Sequence, residues 1–382
     1  MKLSWDIFCT VVDNYGDIGV CWRLARQLAS EHGFVIRLWV DDLTPFARLC
    51  PDLDVTQELQ TLRGVAIRRW CKPFPDVTPA DVVVEAFGCP LPANYRTAMA
   101  LQSPQPAWIN LEYLSAEPWV NGTHGLPSPQ PPLTRYFFFP GFTSDTGGLL
   151  RERSLLAQRD EFQDDKAALR QFWASIGMPI PHSDEIRVSL FCYDSAYAEA
   201  LLRAWSVGPK PITCIVPQGI VTRALAALLG PEPMSGAAYV HGSLTLHVIP
   251  FLEQDRYDRL LWACDMNFVR GEDSFVRAQW AGRPFVWHIY PQQQDVHRIK
   301  LNAFLDLYCA DLLPPHAQQL RSFWHAWNGQ GDVAAEWRGF VEQQIALTNH
   351  AIHWLQRLSE QTDLAANLAA LCNNLLKSRV ST

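Results

Sequence analysis

A chain of 382 residues is longer than one hydrophobic core usually serves, so two domains of ordinary size are expected. Hydrophobic residues at 48% and charged residues at 19% describe a globular protein and exclude a disordered chain. The net charge of -7 argues against a nucleic acid or an anionic membrane held by bulk charge; a partner attracted over long range should itself be basic, at least locally. The ten cysteines are scattered singly, with no C-x-x-C pair and no zinc spacing, as for buried thiols in a reducing cytosol. The opening MKLSWDIFCTVVDNYGD has its apolar stretch broken by Asp6 and followed by Asp13, unlike a signal peptide, and no uncharged run of about 18 apolar residues is present to cross a bilayer. A soluble cytoplasmic protein is the expectation.

In chain order, Asp6 to Val12 reads as a strand, Asp13 to Gly19 as a Gly/Asp/Asn loop, and Val20 to Ser30 as a helix stopped by Gly33. Phe34 to Val40 reads as a second strand, after which Thr44-Pro45 offers an N-cap and a proline at the first helical position. Val65 to Trp70, Asp81 to Phe87, Trp108 to Tyr113 and Arg135 to Phe139 are further strand candidates, most of them continuous apolar runs, as for strands covered on both faces. Asn121 to Leu133, rich in Gly and Pro, is expected to be an irregular loop. A charged helical stretch and a Pro-containing break over residues 151–184 are taken as a linker. A second series then begins: strands at Ile186 to Tyr193, Ile212 to Val216, Leu244 to Phe251, Met266 to Val269 and Phe285 to Ile289, and helices at Ser195 to Trp205, Val221 to Leu229, Asp255 to Ala263 and Phe275 to Trp280. From His353 to Leu376 leucines recur on one face of an amphipathic helix. The class predicted is α/β with two Rossmann-like domains, over residues 1–150 and 185–352, and a C-terminal segment 353–382 that packs back on the first.

In open α/β sheets ligands bind beyond the carboxyl ends of the strands. The loop Asp13-Asn14-Tyr15-Gly16-Asp17-Ile18-Gly19 lies there; it is neither G-x-G-x-x-G nor a P-loop, but it sets two carboxylates beside glycines that let backbone approach a ligand. Helix capping explains either Asp alone, whereas the pair in such a loop points to a catalytic base. The loop Arg270-Gly271-Glu272-Asp273-Ser274 precedes a helix whose N-terminus, with Arg270 and the Ser274 hydroxyl, would cradle a diphosphate, while Glu272 would accept bonds from ribose hydroxyls. Phe191 and Tyr193 after one strand, and Phe251 with Gln254 after another, are placed to stack on a base and read its edge. No metal-holding acidic pair is seen in the second half.

Two such halves, with carboxylates in the first and a nucleotide cradle in the second, form the layout of a metal-independent GT-B glycosyltransferase, whose domains face each other across a cleft. The segments WDIFCTVVDNYGDIGVCWRLARQL (Trp5 to Leu28), NLEYLSAE (Asn110 to Glu117), LPSPQ (Leu126 to Gln130), GGLLRER (Gly147 to Arg153) and FVRGEDSFVRAQWAGRPFVWHIYPQ (Phe268 to Gln292) resemble the bacterial protein-arginine rhamnosyltransferases that modify translation elongation factor P. That resemblance implies a donor, dTDP-β-L-rhamnose, an arginine of elongation factor P as acceptor, inversion at the anomeric carbon, and no metal or other cofactor. It implies that Asp17 is the general base, that Asp13 is a second carboxylate near the acceptor, with Asn14, Tyr15 and Gly16 in the same loop, and that Glu272 is an acidic residue needed for activity. It also implies that Phe191, Tyr193, Phe251, Gln254, Arg270, Asp273, Ser274 and Tyr290 contact the donor's thymidine and diphosphate. A GT-B enzyme with another nucleotide sugar or a small acceptor, and a non-catalytic nucleotide-sugar-binding protein, are the alternatives.

Overall fold

The structure is a computed structural model, and it describes residues 2–13, 15–182, 184–193, 196–219, 226 and 234–380. Asn14 and nearly all of the helix expected over Val221 to Leu229 lie outside the described residues. The chain divides into two compact units, residues 1–153 with 359–382, and residues 154–358.

The first unit is built on an eight-stranded sheet. Its strands are β1 (Ser4–Cys9), β2 (Val35–Val40), β3 (Leu59–Leu62), β4 (Val65–Arg69), β5 (Val82–Ala86), β6 (Ala107–Leu111), β7 (Pro127–Gln130) and β8 (Leu133–Phe138), in the spatial order β3-β4-β2-β1-β5-β6-β8-β7. The six inner strands are parallel, and β3 and β7 close the edges antiparallel. The stretch expected to be an irregular loop, Asn121 to Leu133, therefore contains the end of the short helix Trp119–Thr123 and the edge strand β7. Its two prolines, Pro127 and Pro129, are tolerable because an edge strand need not donate on its open side.

β1, β5 and most of β2 are buried, as their apolar runs require. Asp6 sits in β1 with no exposure, which is possible because every neighbour is a donor. Its carboxylate takes the Arg37 guanidinium (Nε at 2.6 Å), Trp39 Nε1 at 3.0 Å, the Ala80 amide at 3.1 Å and the Tyr95 hydroxyl. β1 ends earlier than expected because side chains rather than a neighbouring strand take the next amides: Val11 N–H goes to Asp41 and Val12 and Asp13 N–H go to Asp17. The following helix starts at Gly16, inside the expected loop, and runs to Glu31. The next helix, Leu43–Leu49, is capped by Asp42, which accepts from Thr44 N–H at 2.8 Å, rather than by Thr44.

The second unit carries β9 (Ile186–Leu190), β10 (Ile212–Pro217), β11 (Ala238–His241), β12 (Leu244–Ile249), β13 (Met266–Arg270) and β14 (Phe285–His288), ordered β11-β12-β10-β9-β13-β14. All pairings are parallel except that of β11. The helices Leu155–Asp164 and Lys166–Ser175, expected to form a linker, belong to this unit: Phe162 packs on Trp262 at 5.8 Å, and Gln163 donates to the Trp262 carbonyl at 3.0 Å. After β14 the chain is helical through Ser359, its aromatic side chains Phe304, Tyr308, Trp324 and Trp354 forming a ring cluster with Phe285.

The single tail helix expected over 353–376 is two helices, Gln344–Ser359 and Leu364–Val380. The break is fixed by capping and by the first unit's own side chains. Asp363 accepts from Ala366 N–H at 3.0 Å, Arg151 donates to the Ser359 and Gln361 carbonyls at 2.6 and 2.9 Å, and Gln27 reaches Asp363 at 3.0 Å. The chain thus rejoins the first unit at Ser359, with Leu364, Leu368 and Cys372 buried.

Candidate functional site

A doubly wound sheet opens a crevice where successive connections turn to opposite sides, at the carboxyl ends of the two strands that flank the reversal. In the first sheet that point lies between β1 and β5, and in the second between β9 and β13. The loops leaving β1, β9 and β13 carry most of the candidate residues; Phe251 and Gln254 follow β12, and Tyr290 follows β14.

In the first unit, Asp17 occupies the first turn of the Gly16–Glu31 helix and is 2% exposed. One of its oxygens, Oδ2, accepts from both Val12 and Asp13 N–H at 2.8 Å, so the carboxylate closes the loop back on itself. Both lone-pair directions of Oδ2 are thereby engaged, leaving Oδ1 as the oxygen for further chemistry. Asp13 is half-buried, and its carbonyl accepts the Gly16 N–H at 2.6 Å. A side chain at Gly16 would meet Asp13 Oδ2 at 2.9 Å, so the glycine lets this carboxylate lie against the helix start. The Tyr15 hydroxyl accepts from Arg48 at 3.2 Å. The structure brings Asp13, Tyr15, Gly16 and Asp17 together; Asn14 is not described.

In the second unit, Phe191 and Tyr193 follow β9 while Arg270 ends β13. The Arg270 guanidinium lies over both rings, 4.7 Å from the Phe191 centroid and 4.6 Å from that of Tyr193, and donates to the Cys192 carbonyl at 3.2 Å. Tyr193 also meets the edge of Tyr290 at 5.5 Å. The Ser274 hydroxyl accepts the Arg270 N–H at 3.0 Å and donates to the Arg270 carbonyl, so it secures the end of β13. Gln254, 3% exposed, donates to Asp273 at 3.0 Å. Glu272 is the N-cap residue of the Asp273–Trp280 helix, without a side-chain capping bond, and is half-buried. Phe251 is half-buried just past β12.

His288, the last residue of β14, is a member of this group that the sequence did not single out. Its Nδ1 accepts the Tyr193 N–H at 3.3 Å, and its ring meets Tyr193 edge-on at 5.3 Å. Burial, then the charges of Arg270 and His297, push its pKa down from the ordinary imidazole value to about 3. The unfolded chain binds this proton near pH 6.5 and the folded chain only near 3, so His288 costs stability as the pH falls between those values. We expect the melting temperature of the wild type to drop more steeply from pH 7 to 4.5 than that of His288→Asn; parallel curves would show that His288 does not carry this dependence. Among the described residues no group of three or more His, Cys, Asp or Glu side chains is arranged to hold a metal ion, and the ten cysteines are free thiols. No helix among them is long and apolar enough to cross a membrane.

Two parallel-dominated α/β units, each with its polar loops at a switch point, form the two-domain GT-B architecture, shared with MurG of Acinetobacter baumannii (TM-score 0.51, 12% identity, covering 99% of this chain and 100% of that one). Residues 5–373 match the sequence model of EarP, the elongation-factor P (EF-P) rhamnosyltransferase, and the chain belongs to that family. It is 50% identical over 378 residues to the protein-arginine rhamnosyltransferase of Pseudomonas putida, covering 98% of this chain and 100% of the relative. A solved structure described as the structural basis for EarP-mediated arginine glycosylation of EF-P superposes with a TM-score of 0.71 at 38% identity, covering 98% and 99% of the two chains.

Proposed function

We propose that this protein transfers L-rhamnose from dTDP-β-L-rhamnose to an arginine side chain of EF-P in the cytoplasm, with inversion and without a metal. The observation that carries the proposal is the pair of carboxylates, Asp13 and Asp17, held in one loop at a switch point of a chain whose named relatives are protein-arginine rhamnosyltransferases. An arginine has a pKa above about 12 and a delocalised lone pair, so it becomes a nucleophile only where carboxylates orient it and accept a proton. A guanidinium nitrogen attacks the anomeric carbon of rhamnose, the bond from that carbon to the diphosphate oxygen breaks, and its electron pair leaves with dTDP. The proton lost from the attacking nitrogen passes to the loop, to Asp17 through Oδ1, while Asp13 aligns the guanidinium.

On the donor side, Arg270 and the N-terminus of the Asp273–Trp280 helix receive the charge that develops on the diphosphate. Phe191, Tyr193, Phe251 and Tyr290 offer ring surface to thymine, with Gln254 at its edge. Glu272 binds sugar hydroxyls, and Asp273 holds Gln254 in place. Ser274 serves by fixing the backbone of Arg270. With these groups neutralising the leaving diphosphate, turnover is expected to persist in excess EDTA; loss of activity restored by Mg²⁺ or Mn²⁺ would count against the metal-independent scheme.

The test of donor and acceptor together is transfer to EF-P from a panel of nucleotide sugars. Rhamnose should be transferred from its dTDP ester in strong preference to hexoses carried on UDP or GDP. Equal use of another donor, or donor binding with no transfer at all, would favour the two alternatives in turn.

A further inference from the structure

The strand that flanks β1 at the first switch point is β5, and its exit is unusual. The chain turns between Ala86 and Cys89, closed by the Cys89 N–H to the Ala86 carbonyl at 3.1 Å, with Phe87 and Gly88 both at positive φ, 59° and 69°. Such a turn suits Asn-Gly, and a bulky residue in the first position is held there against its own preference. Phe87 stands on it, and its ring stacks on that of Tyr113, just beyond β6, with centroids 4.6 Å apart and planes 23° from parallel. The Phe87 N–H is bonded to the Leu111 carbonyl at 2.7 Å, which fixes the turn to the end of β6. Cys89 Sγ reaches the Phe8 carbonyl at 3.2 Å, which fixes it to the end of β1, the strand that leads through residues 10–12 into the Asp13–Asp17 loop. Phe8 and Glu85 are register partners, so Phe87 emerges level with the first residue after β1. Both rings are half-buried, and Val12 beside Asp13 is 66% exposed.

We infer that the stacked pair Phe87 and Tyr113 is the platform on which the acceptor's guanidinium lies while Asp13 and Asp17 take its N–H groups. This rests on the reading of the acceptor as an arginine. A guanidinium is flat and weakly hydrated; it stacks on an aromatic face and presents its N–H groups in the plane, toward carboxylates at the ring's edge. An ammonium lacks the flat face, so the platform also selects arginine over lysine. A backbone strained at one residue, Phe87, beside the strand that leads into the carboxylate loop is the kind of outlier that marks a binding role.

The test varies EF-P at saturating dTDP-rhamnose, then dTDP-rhamnose at saturating EF-P. Phe87→Leu and Tyr113→Leu, similar in bulk but without a ring face, should each raise the KM for EF-P by about five- to thirtyfold and leave the KM for the donor unchanged. Phe87→Tyr and Tyr113→Phe, which keep the ring, should stay within about twofold of wild type by the same scale. An unchanged KM for EF-P in both leucine variants, or losses in the ring-keeping variants as large as theirs, would overturn the inference while leaving the proposed activity standing. A wild-type enzyme that fails to modify EF-P would overturn both.

Discussion

Turnover of Asp17→Asn is expected to fall by about 10² to 10⁴ while the affinity for dTDP-rhamnose stays near that of the wild type. The substitution is informative because an asparagine Oδ1 can accept from the Val12 and Asp13 amides as Asp17 Oδ2 does. The loop should therefore keep its shape and lose only the charge and the proton-accepting oxygen. Asp13→Asn should lose activity as well, partly as weaker use of EF-P if its carboxylate mainly aligns the guanidinium. In the proposed mechanism both carboxylates serve one nucleophile, so the double variant should cost less than the sum of the two. Single-turnover rates with EF-P saturating would resolve these effects. Wild-type turnover in Asp17→Asn would reduce Asp17 to the loop closure that its hydrogen bonds already describe.

The second large effect lies on the donor side. Arg270→Ala should weaken dTDP binding by about 1.5 to 3 kcal/mol, as expected for losing a charge-assisted bond to diphosphate. Calorimetry with dTDP alone measures it free of any acceptor contribution. The guanidinium in this structure bridges Phe191, Tyr193 and the Cys192 carbonyl, so its loss also frees the two rings. Arg270→Lys separates the roles: it keeps a charge but not the planar fork, and should recover only part of the affinity. A folded Arg270→Ala protein that binds dTDP normally would remove Arg270 from the diphosphate site.

Much of the sheet framework was legible because strands buried on both faces leave continuous apolar runs, as Val82 to Val84 of β5 and Phe285 to Trp287 of β14 do. The two polar loops stood out for a local reason, glycines and carboxylates between such a run and a helix. That both leave strands flanking a reversal of strand order is a non-local fact, set by β1 pairing with β5 and β9 with β13, and no pattern within either loop encodes it. Where side chains compete with the ladder, boundaries moved: Asp17 and Asp41 take the amides after β1 and end it early. The Ser274 hydroxyl showed the same limit, since the sequence offers a donor but not its direction, and here it turns to the backbone of Arg270. Phe87 is not legible in the sequence because Phe-Gly is not a turn signature, and its positive φ appears only in three dimensions. The helix break between Ser359 and Leu364 lies within a leucine pattern that continues on both sides of it.

The most direct measurement is fragmentation mass spectrometry of EF-P after incubation with this enzyme and dTDP-β-L-rhamnose, followed by NMR of the isolated glycopeptide. One added deoxyhexose on a single arginine is expected, attached through a guanidinium nitrogen as the α-anomer. An unmodified EF-P, a sugar on another residue type, or a retained β-linkage would contradict it.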